Sequence, residues 1–276
     1  MDAKMEKVLS DAFAFVENLG YNVWAVNLYG SQNYKMDTPN SDYDFKALVF
    51  PTFEVEVVSV AKPVSKVYVY GDGQVDVKDV RLMFNEYKKQ NCQFLETLFT
   101  DFYWVNPLYR EEWEAVRTLA PRVAHADVKR HLDAMCGMAM EKVYALCHPY
   151  EGKEGISWWE KVALLQERGY DSKQLSHIYR LAFMMDKYMA GEDYKGLLVP
   201  NPDEFKVLMD MKLYNPQLSV EEAKRLGDAK VKEMYDKKVA FLAAHPDLKV
   251  DEATYAELDA LKIDVLKKVF KAELLS

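Results

Sequence analysis

The chain has 276 residues, a formal net charge of −8 at pH 7 and a pI of about 5.3. This acidic balance argues against broad, charge-driven binding to DNA or RNA, but it leaves room for a local basic groove. Hydrophobic residues make up 50% of the sequence, which is ample for a packed core and argues against disorder.

Targeting signals and cysteine spacing indicate where the protein resides. The N-terminus lacks a signal-peptide pattern, and no apolar run approaches the roughly 18 residues of a membrane span. The three cysteines are far apart in the sequence, so neither a disulfide framework nor a zinc site is expected. We therefore expect a soluble, cytoplasmic protein that does not associate with membranes.

The N-terminal part of the chain is predicted to combine one helix with several strands. Apolar residues at helical spacing predict a helix over 3–19, which Gly20 ends. Apolar runs and alternation predict strands near the following ranges: 22–29, 43–50, 53–60, 67–70 and 74–77. The third of these is equally typical of an extended edge. The last two flank a glycine-rich loop, with Asp72 as a turn residue, and predict a hairpin.

Beyond this hairpin the periodicity is helical almost to the C-terminus, and prolines punctuate it. We expect helices over the following ranges: 79–90, 92–100, 109–119, 122–148, 156–169, 172–190, 203–213, 219–244 and 251–273. Strands followed by helices predict an α+β fold. We place a small mixed-sheet domain at 1–106 and an all-helical domain at 107–276.

The segment between the first two predicted strands combines two carboxylates with a possible phosphate-binding turn. Gly30-Ser31 ends the first strand, and Ser-Asp-Tyr-Asp over 41–44 opens the second. On a strand, Asp42 and Asp44 share one face, and neighbouring carboxylates repel unless a divalent metal such as Mg²⁺ binds them. Glycine lets the backbone approach a ligand, a short helix after the turn would offer N–H groups to an anion, and the serine adds a hydroxyl donor. The pattern predicts nucleotidyl transfer.

Gly30-Ser31 and the Ser-Asp-x-Asp sequence, at their spacing, resemble the signature of the DNA polymerase β nucleotidyltransferase superfamily. Tyr34 and the sequence over 37–42 are similar to a bacterial and phage group described as predicted nucleotidyltransferases. Lys35 stands where many members of that group have a glycine. The resemblance implies an enzyme that moves an NMP or dNMP from a nucleoside triphosphate to an acceptor hydroxyl and releases pyrophosphate.

The superfamily has a third acid on a later strand, for which Asp76 is the candidate. Asp79 is its rival, but it directly precedes a periodic helix and is typical of an N-cap. The resemblance implies that Asp42, Asp44 and Asp76 hold two Mg²⁺ ions, with Mn²⁺ as an alternative, and that the Gly-Ser turn holds the β and γ phosphates. Glu96, in a segment similar to the one after the third acid, is interpreted as a helix-surface acid, with a site residue as the alternative.

A basic stripe is predicted on the helix that starts at Ser172, its expected N-cap. Lys173, His177 and Arg180 recur at i, i+4 and i+7, so they share a face opposite the apolar side of the helix. From the residues alone, a phosphate-binding face and an ordinary solvated stripe are equally open. The Lys-x-x-x-His-x-x-Arg pattern is similar to one in the same nucleotidyltransferase group, which implies that it binds the triphosphate.

The acceptor of the transferred nucleotide is not readable from the sequence, since related folds serve many substrates. A small molecule, a protein and a nucleic-acid end all stay open. Two alternatives to a general nucleotidyltransferase are a nucleotide sensor that has lost turnover and a toxin or defence enzyme that acts on tRNA or protein.

Overall fold

The structure is a computed structural model that describes residues 3–38, 41–54, 62–148 and 156–275. The chain forms two compact units, Met1–His131 with Lys249–Ser276, and Leu132–Leu248. The first unit contains a five-stranded mixed sheet, and the regular elements described in the second unit are helices. A mixed sheet combined with many helices agrees with the predicted α+β composition. The domain boundary predicted near residue 106 stays a prediction.

The strands are β1 Asn22–Tyr29, β2 Asp44–Phe50, β3 Ser65–Tyr70, β4 Gly73–Asp79 and β5 Tyr103–Val105. The helices are α1 Ala3–Asn18, α2 Val80–Lys88, α3 Cys92–Leu95, α4 Arg110–His125, α5 Val128–Cys147, α6 Ile156–Arg168, α7 Ser172–Met189, α8 Tyr194–Leu198, α9 Pro202–Lys212, α10 Val220–Ala244 and α11 Glu252–Leu274. Short 3-10 turns cover Glu96–Leu98 and Pro107–Tyr109. Within the described ranges, none of these helices has the length and apolar character needed to cross a bilayer.

The sheet has the strand order β3-β4-β2-β1-β5, and only the central pair β2–β4 is parallel among its described pairings. One face is apolar and packs against α1, burying the residues Leu9, Ala12, Val16, Val26, Leu28, Phe45, Ala47, Val75 and Val77. Because directly paired residues point to the same face, the opposite face carries the polar residues Asn27, Tyr29, Asp44, Lys46, Gln74 and Asp76. The fold thus gathers the polar side chains of three neighbouring strands on one side of the sheet.

Helix α11 returns the chain to the first unit. Lys88 Nζ donates to Asp259 Oδ2 at 2.7 Å, and Arg122 Nη1 donates to Glu257 Oε2 at 2.6 Å. Four residues of α11 with large side chains are buried: Tyr255, Leu258, Val265 and Val269. The last helix therefore completes the unit that contains the sheet.

Most predicted elements of the first unit are confirmed. Helix α1, strands β1 and β2, and the β3–β4 hairpin lie where the sequence predicts them. Asp79 caps α2 by accepting a hydrogen bond from Arg81 N at 2.8 Å, as expected for an N-cap. Strand β5 and helix α8 were not predicted, because each is too short to show periodicity. The strand or edge predicted over 53–60 lies mostly outside the described residues.

The predicted helix break at Pro121 is wrong. Helix α4 continues through Pro121 to His125, and α5 begins at Val128. Asp127 precedes α5, and its Oδ1 accepts a hydrogen bond from Arg130 N at 3.0 Å. A proline disfavours a helix interior, but here the chain breaks where an acidic side chain caps the next helix.

Candidate active site

The turn after β1 brings the backbone against a carboxylate. Gly30 has φ +82°, a left-handed conformation that favours glycine. A Cβ at this position would lie 3.6 Å from Asp44 Oδ2, so the backbone of Gly30 directly faces that side chain. Ser31 follows in a series of hydrogen-bonded turns, in which Asn33 N and Tyr34 N both donate to Gly30 O. The short helix expected after the turn does not form, because these N–H groups close the turn instead.

Lys35 adopts the backbone conformation that glycine favours. Its φ is 55°, although side chains with a Cβ rarely occupy this region. This is the position where many members of the similar group have glycine. The loop after Ser31 therefore has a left-handed residue at this point despite the substitution, at some cost in conformational energy.

Asp44 and Asp76 lie on the same face of neighbouring parallel strands. Asp44 begins β2 and pairs with Gln74, and Asp76 follows two residues later on β4, where it pairs with Lys46. Lys46 Nζ lies 3.3 Å from Asp76 Oδ2, and the two side chains are 4% and 15% exposed. Sequence reasoning missed this ion pair. The i+2 spacing places Lys46 on the strand face of Asp44, but it gives no sign that Asp76 lies opposite Lys46.

Aromatic rings enclose the ammonium group of Lys46. Its Nζ lies 4.1 Å from the centroid of the Tyr29 ring and 4.3 Å from that of Phe94. Contacts of this kind stabilise a cation through the negative face of the ring. The ammonium group of Lys46 therefore lies between two aromatic rings and beside Asp76.

Burial and three carboxylates perturb the pKa of Tyr29. Burial raises the pKa of Tyr29 far above its usual value, and the charge of Asp44 raises it further. A hydrogen bond from Gln74 Nε2, at 3.1 Å, opposes this shift, while Asp76 and Glu96 add smaller upward contributions. The Tyr29 hydroxyl therefore stays protonated at neutral pH, close to three acids.

Glu96 is buried, so its interpretation as a surface acid is wrong. It is 2% exposed, and its Oε2 accepts a short hydrogen bond from the hydroxyl of Tyr34, which is 5% exposed. The 3-10 turn explains the difference, because all three of its residues, Glu96–Leu98, are buried. Glu96 thus connects this turn to the loop that follows Gly30.

Asp42 lies before β2, which begins at Asp44, so the expected strand does not include Asp42. A shared orientation of the two carboxylates stays a prediction. Asp42 lines a cleft of about 530 Å³ together with Lys4, Asp37 and Thr38. Neither Asp44 nor Asp76 lines this cleft. Across the described ranges, no three His, Cys, Asp or Glu side chains are grouped closely enough to hold a metal ion.

The donor chemistry of these acids still fits Mg²⁺ in part. Asp44 offers hard carboxylate oxygens beside Gly30, where the missing Cβ leaves room for a ligand. Asp76 offers the same chemistry, but its Oδ2 already contacts an ammonium group. Both acids therefore offer the oxygen ligands that Mg²⁺ prefers, and a metal at Asp76 requires Lys46 to move.

In the second unit, the predicted basic residues are joined by two further lysines. Lys173 is exposed, His177 is partly buried and Arg180 is 9% exposed, so the stripe is not uniformly solvated. Burial lowers the pKa of His177 well below its usual value, and Arg180, Lys173, Lys142 and Lys212 lower it further. Lys142 on α5 and Lys212 on α9 were missed, because their sequence positions give no sign of proximity to α7.

The predicted N-cap of α7 needs one correction. Asp171, and not Ser172, caps the helix, because its Oδ1 accepts a hydrogen bond from Lys173 N at 3.0 Å. The hydroxyl of Ser172 instead donates to Lys212 O at 2.8 Å. This contact brings the C-terminal end of α9 next to the first turn of α7.

Comparison with known proteins adds no assignment. No protein-family model matches the chain, and no curated protein is similar to it at a significant level. The functional conclusion therefore depends on the motif and on the geometry of the described residues.

Proposed function

We propose that the protein is a metal-dependent nucleotidyltransferase that transfers an NMP or dNMP from a nucleoside triphosphate to an acceptor hydroxyl and releases pyrophosphate. The observation that carries this proposal is the position of Asp44, whose carboxylate faces the backbone of Gly30 and shares a sheet face with Asp76. A phosphate-binding turn beside metal-binding acids on one sheet face provides the parts that this chemistry needs. In this proposal, residues 1–106 form the catalytic domain and 107–276 the helical domain.

Five candidate site residues of the sheet unit have separate roles in the proposed reaction. Asp42 and Asp44 would hold Mg²⁺ with hard oxygen ligands, and Asp76 would accept the proton of the acceptor hydroxyl. Gly30 leaves room for the phosphates, and Ser31 donates a hydrogen bond to them. Bound metal would supply Lewis-acid stabilisation of the negative charge that develops on the phosphates.

The basic cluster of the second unit supports binding of an anion. Four basic side chains lie near His177, although the chain as a whole is acidic: Lys173, Arg180, Lys142 and Lys212. Such a cluster suits a triphosphate. With its pKa lowered, His177 is neutral at pH 7 and would orient one phosphate oxygen by donating a single N–H.

Label transfer tests the proposal directly. Wild type and the Asp42→Ala/Asp44→Ala double variant would be incubated with each α-labelled NTP and dNTP, Mg²⁺ and a fractionated cell lysate. We expect label in one fraction with wild type only, which would also identify the base and the class of acceptor. Equal labelling by the folded double variant would refute the role of these acids.

A nucleotide sensor without turnover is the second candidate, and one observation favours it. The ion pair between Lys46 and Asp76 occupies the carboxylate that would otherwise serve the reaction. Isothermal titration calorimetry with each NTP separates the two candidates. Nucleotide binding that depends on Lys173 and Arg180, without label transfer to any fraction, would favour the sensor.

A further inference from the structure

The sheet face that carries Asp44 and Asp76 also carries a lysine that the proposed reaction does not use. Lys46 lies directly opposite Asp76 in the parallel pair β2–β4, and its Nζ is 3.3 Å from Asp76 Oδ2. Its side chain is 4% exposed, so water screens the charge very little. The ammonium group therefore lies where a second cation would have to bind Asp76.

The contacts of Lys46 hold it without a strong directional bond. A strong hydrogen bond between an ammonium and a carboxylate is about 2.7–2.9 Å long, and this one is 3.3 Å. The rings of Tyr29 and Phe94 stabilise the charge but offer no acceptor atom. One carboxylate therefore balances most of the charge of Lys46, and a divalent cation competes for that same carboxylate.

A buried amide side chain lies opposite Lys46 on the neighbouring strand. Asn27 lies opposite Lys46 in the antiparallel pair β1–β2 and is fully buried. In the part of the chain that the structure describes, neither Oδ1 nor Nδ2 of Asn27 has a hydrogen-bond partner. Buried amides are almost always hydrogen-bonded, so an unpartnered one beside a lysine needs a physical reason. Asn27 Oδ1 is an acceptor within the same sheet face that can receive a displaced ammonium.

We propose that Lys46 is a positioning residue that acts as the internal counter-ion of Asp76, and that a divalent cation binds Asp76 only when the ammonium moves to Asn27. The proposal rests on the nucleotidyltransferase function, because it concerns the metal site of that reaction. Lys46 keeps the neighbouring carboxylates from repelling one another before metal arrives. It also competes with a divalent cation for the carboxylate of Asp76.

Binding of Mn²⁺ to the full-length protein without nucleotide tests this proposal independently of activity. The free Mn²⁺ signal in electron paramagnetic resonance gives the affinity. We expect Lys46→Met to bind Mn²⁺ about tenfold more tightly than wild type, because a nearby positive charge has been removed. Lys46→Arg keeps the charge and should bind like wild type. Adding Asp76→Asn to Lys46→Met should abolish the gain.

Lys78→Met is the matched control. Lys78 lies on β4 two residues after Asp76, and its Nζ is 4.9 Å from the centroid of the same Phe94 ring, but it donates to Ser65 Oγ. An affinity for Mn²⁺ in folded Lys46→Met that equals that of Lys78→Met would overturn the proposal. So would the absence of measurable binding in both wild type and Lys46→Met.

Asn27→Leu keeps the test decisive if Lys46→Met does not fold. With Lys46 intact and its second partner removed, we expect Mn²⁺ binding to weaken several-fold while the fold is kept, as measured by circular dichroism. Unchanged affinity in folded Asn27→Leu would contradict the role of Asn27.

Tighter Mn²⁺ binding by Lys46→Met without any label transfer by wild type would support this inference and refute the enzyme. Label transfer by wild type with unchanged Mn²⁺ binding in Lys46→Met would refute this inference and support the enzyme.

Discussion

Replacing Gly73 by alanine tests how the β3–β4 hairpin is seated against the loop before β2. A Cβ at Gly73 would lie 2.1 Å from Tyr43 O and 2.8 Å from Tyr43 C. Both atoms belong to the backbone, so no side-chain rotation can relieve the contact. Ordinary contact begins at 3.4 Å, and the hairpin or the strand β2 would therefore have to shift by more than 1 Å.

The expected loss of unfolding free energy in Gly73→Ala follows from this shift. Overpacking of a well-packed site costs about 1–3 kcal/mol, and a backbone clash this close belongs at the upper end of that range. The neighbouring Gly71 supplies the comparison, because it has φ +58° and a Cβ added there would meet nothing within 4 Å. Gly71→Ala should therefore cost only the strain of a left-handed residue, about 1 kcal/mol.

Urea unfolding of wild type, Gly73→Ala and Gly71→Ala measures both values, with the slope m checked for constancy. We expect a larger loss of unfolding free energy for Gly73→Ala than for Gly71→Ala. The same shift would move Asp44 relative to Asp76, so Mn²⁺ binding should weaken as well. If Gly73→Ala is no less stable than Gly71→Ala, the close approach of Gly73 to Tyr43 is refuted.

Three further predictions concern the loop, the buried acid and a buried histidine. Lys35→Gly should stabilise the protein by about 0.5–1 kcal/mol in thermal unfolding, because it relieves a left-handed lysine, whereas Lys35→Ala should not stabilise it. Tyr34→Phe should cost about 1.5–3 kcal/mol through loss of its hydrogen bond to a buried carboxyl group, and Glu96→Gln, which keeps an acceptor, should cost less. Burial lowers the pKa of His131 to about 3, so the unfolded chain binds a proton that the folded chain rejects. The contribution of His131 to the free energy of unfolding is complete above about pH 6.5 and falls toward pH 3, by up to about 1.4 kcal/mol per pH unit. Urea unfolding at several pH values should therefore show a shallower pH dependence for His131→Gln than for wild type. An equal slope in both proteins would contradict the burial of a neutral imidazole.

The sequence predicted correctly those caps and turns that depend on neighbouring residues in the chain. The cap at Asp79 and the turn at Gly71-Asp72 depend on residues next to them in the sequence, and both formed as expected. The break predicted at Pro121 is wrong because a proline only weakens a helix, whereas the capping group of Asp127 sets the start of the next helix.

The parts of the candidate site that escaped prediction depend on distant residues. Lys46 meets Asp76 only through the parallel pairing of β2 with β4, a register that no short motif encodes. Glu96 is buried because a 3-10 turn places it against Tyr34, although helical spacing alone predicts a surface position. The lysines that surround His177 come from three helices, so their grouping is a property of tertiary packing.

The return of α11 to the sheet unit has a consequence for the order in which the chain becomes foldable during synthesis. Residues 132–248 form a compact unit whose whole sequence is synthesised before α11. The unit that contains the sheet lacks α11, including the partner of Lys88 at Asp259, until residues 252–274 have been synthesised. Domains generally fold in the order in which they are synthesised, but here the middle of the chain is complete first and the beginning last.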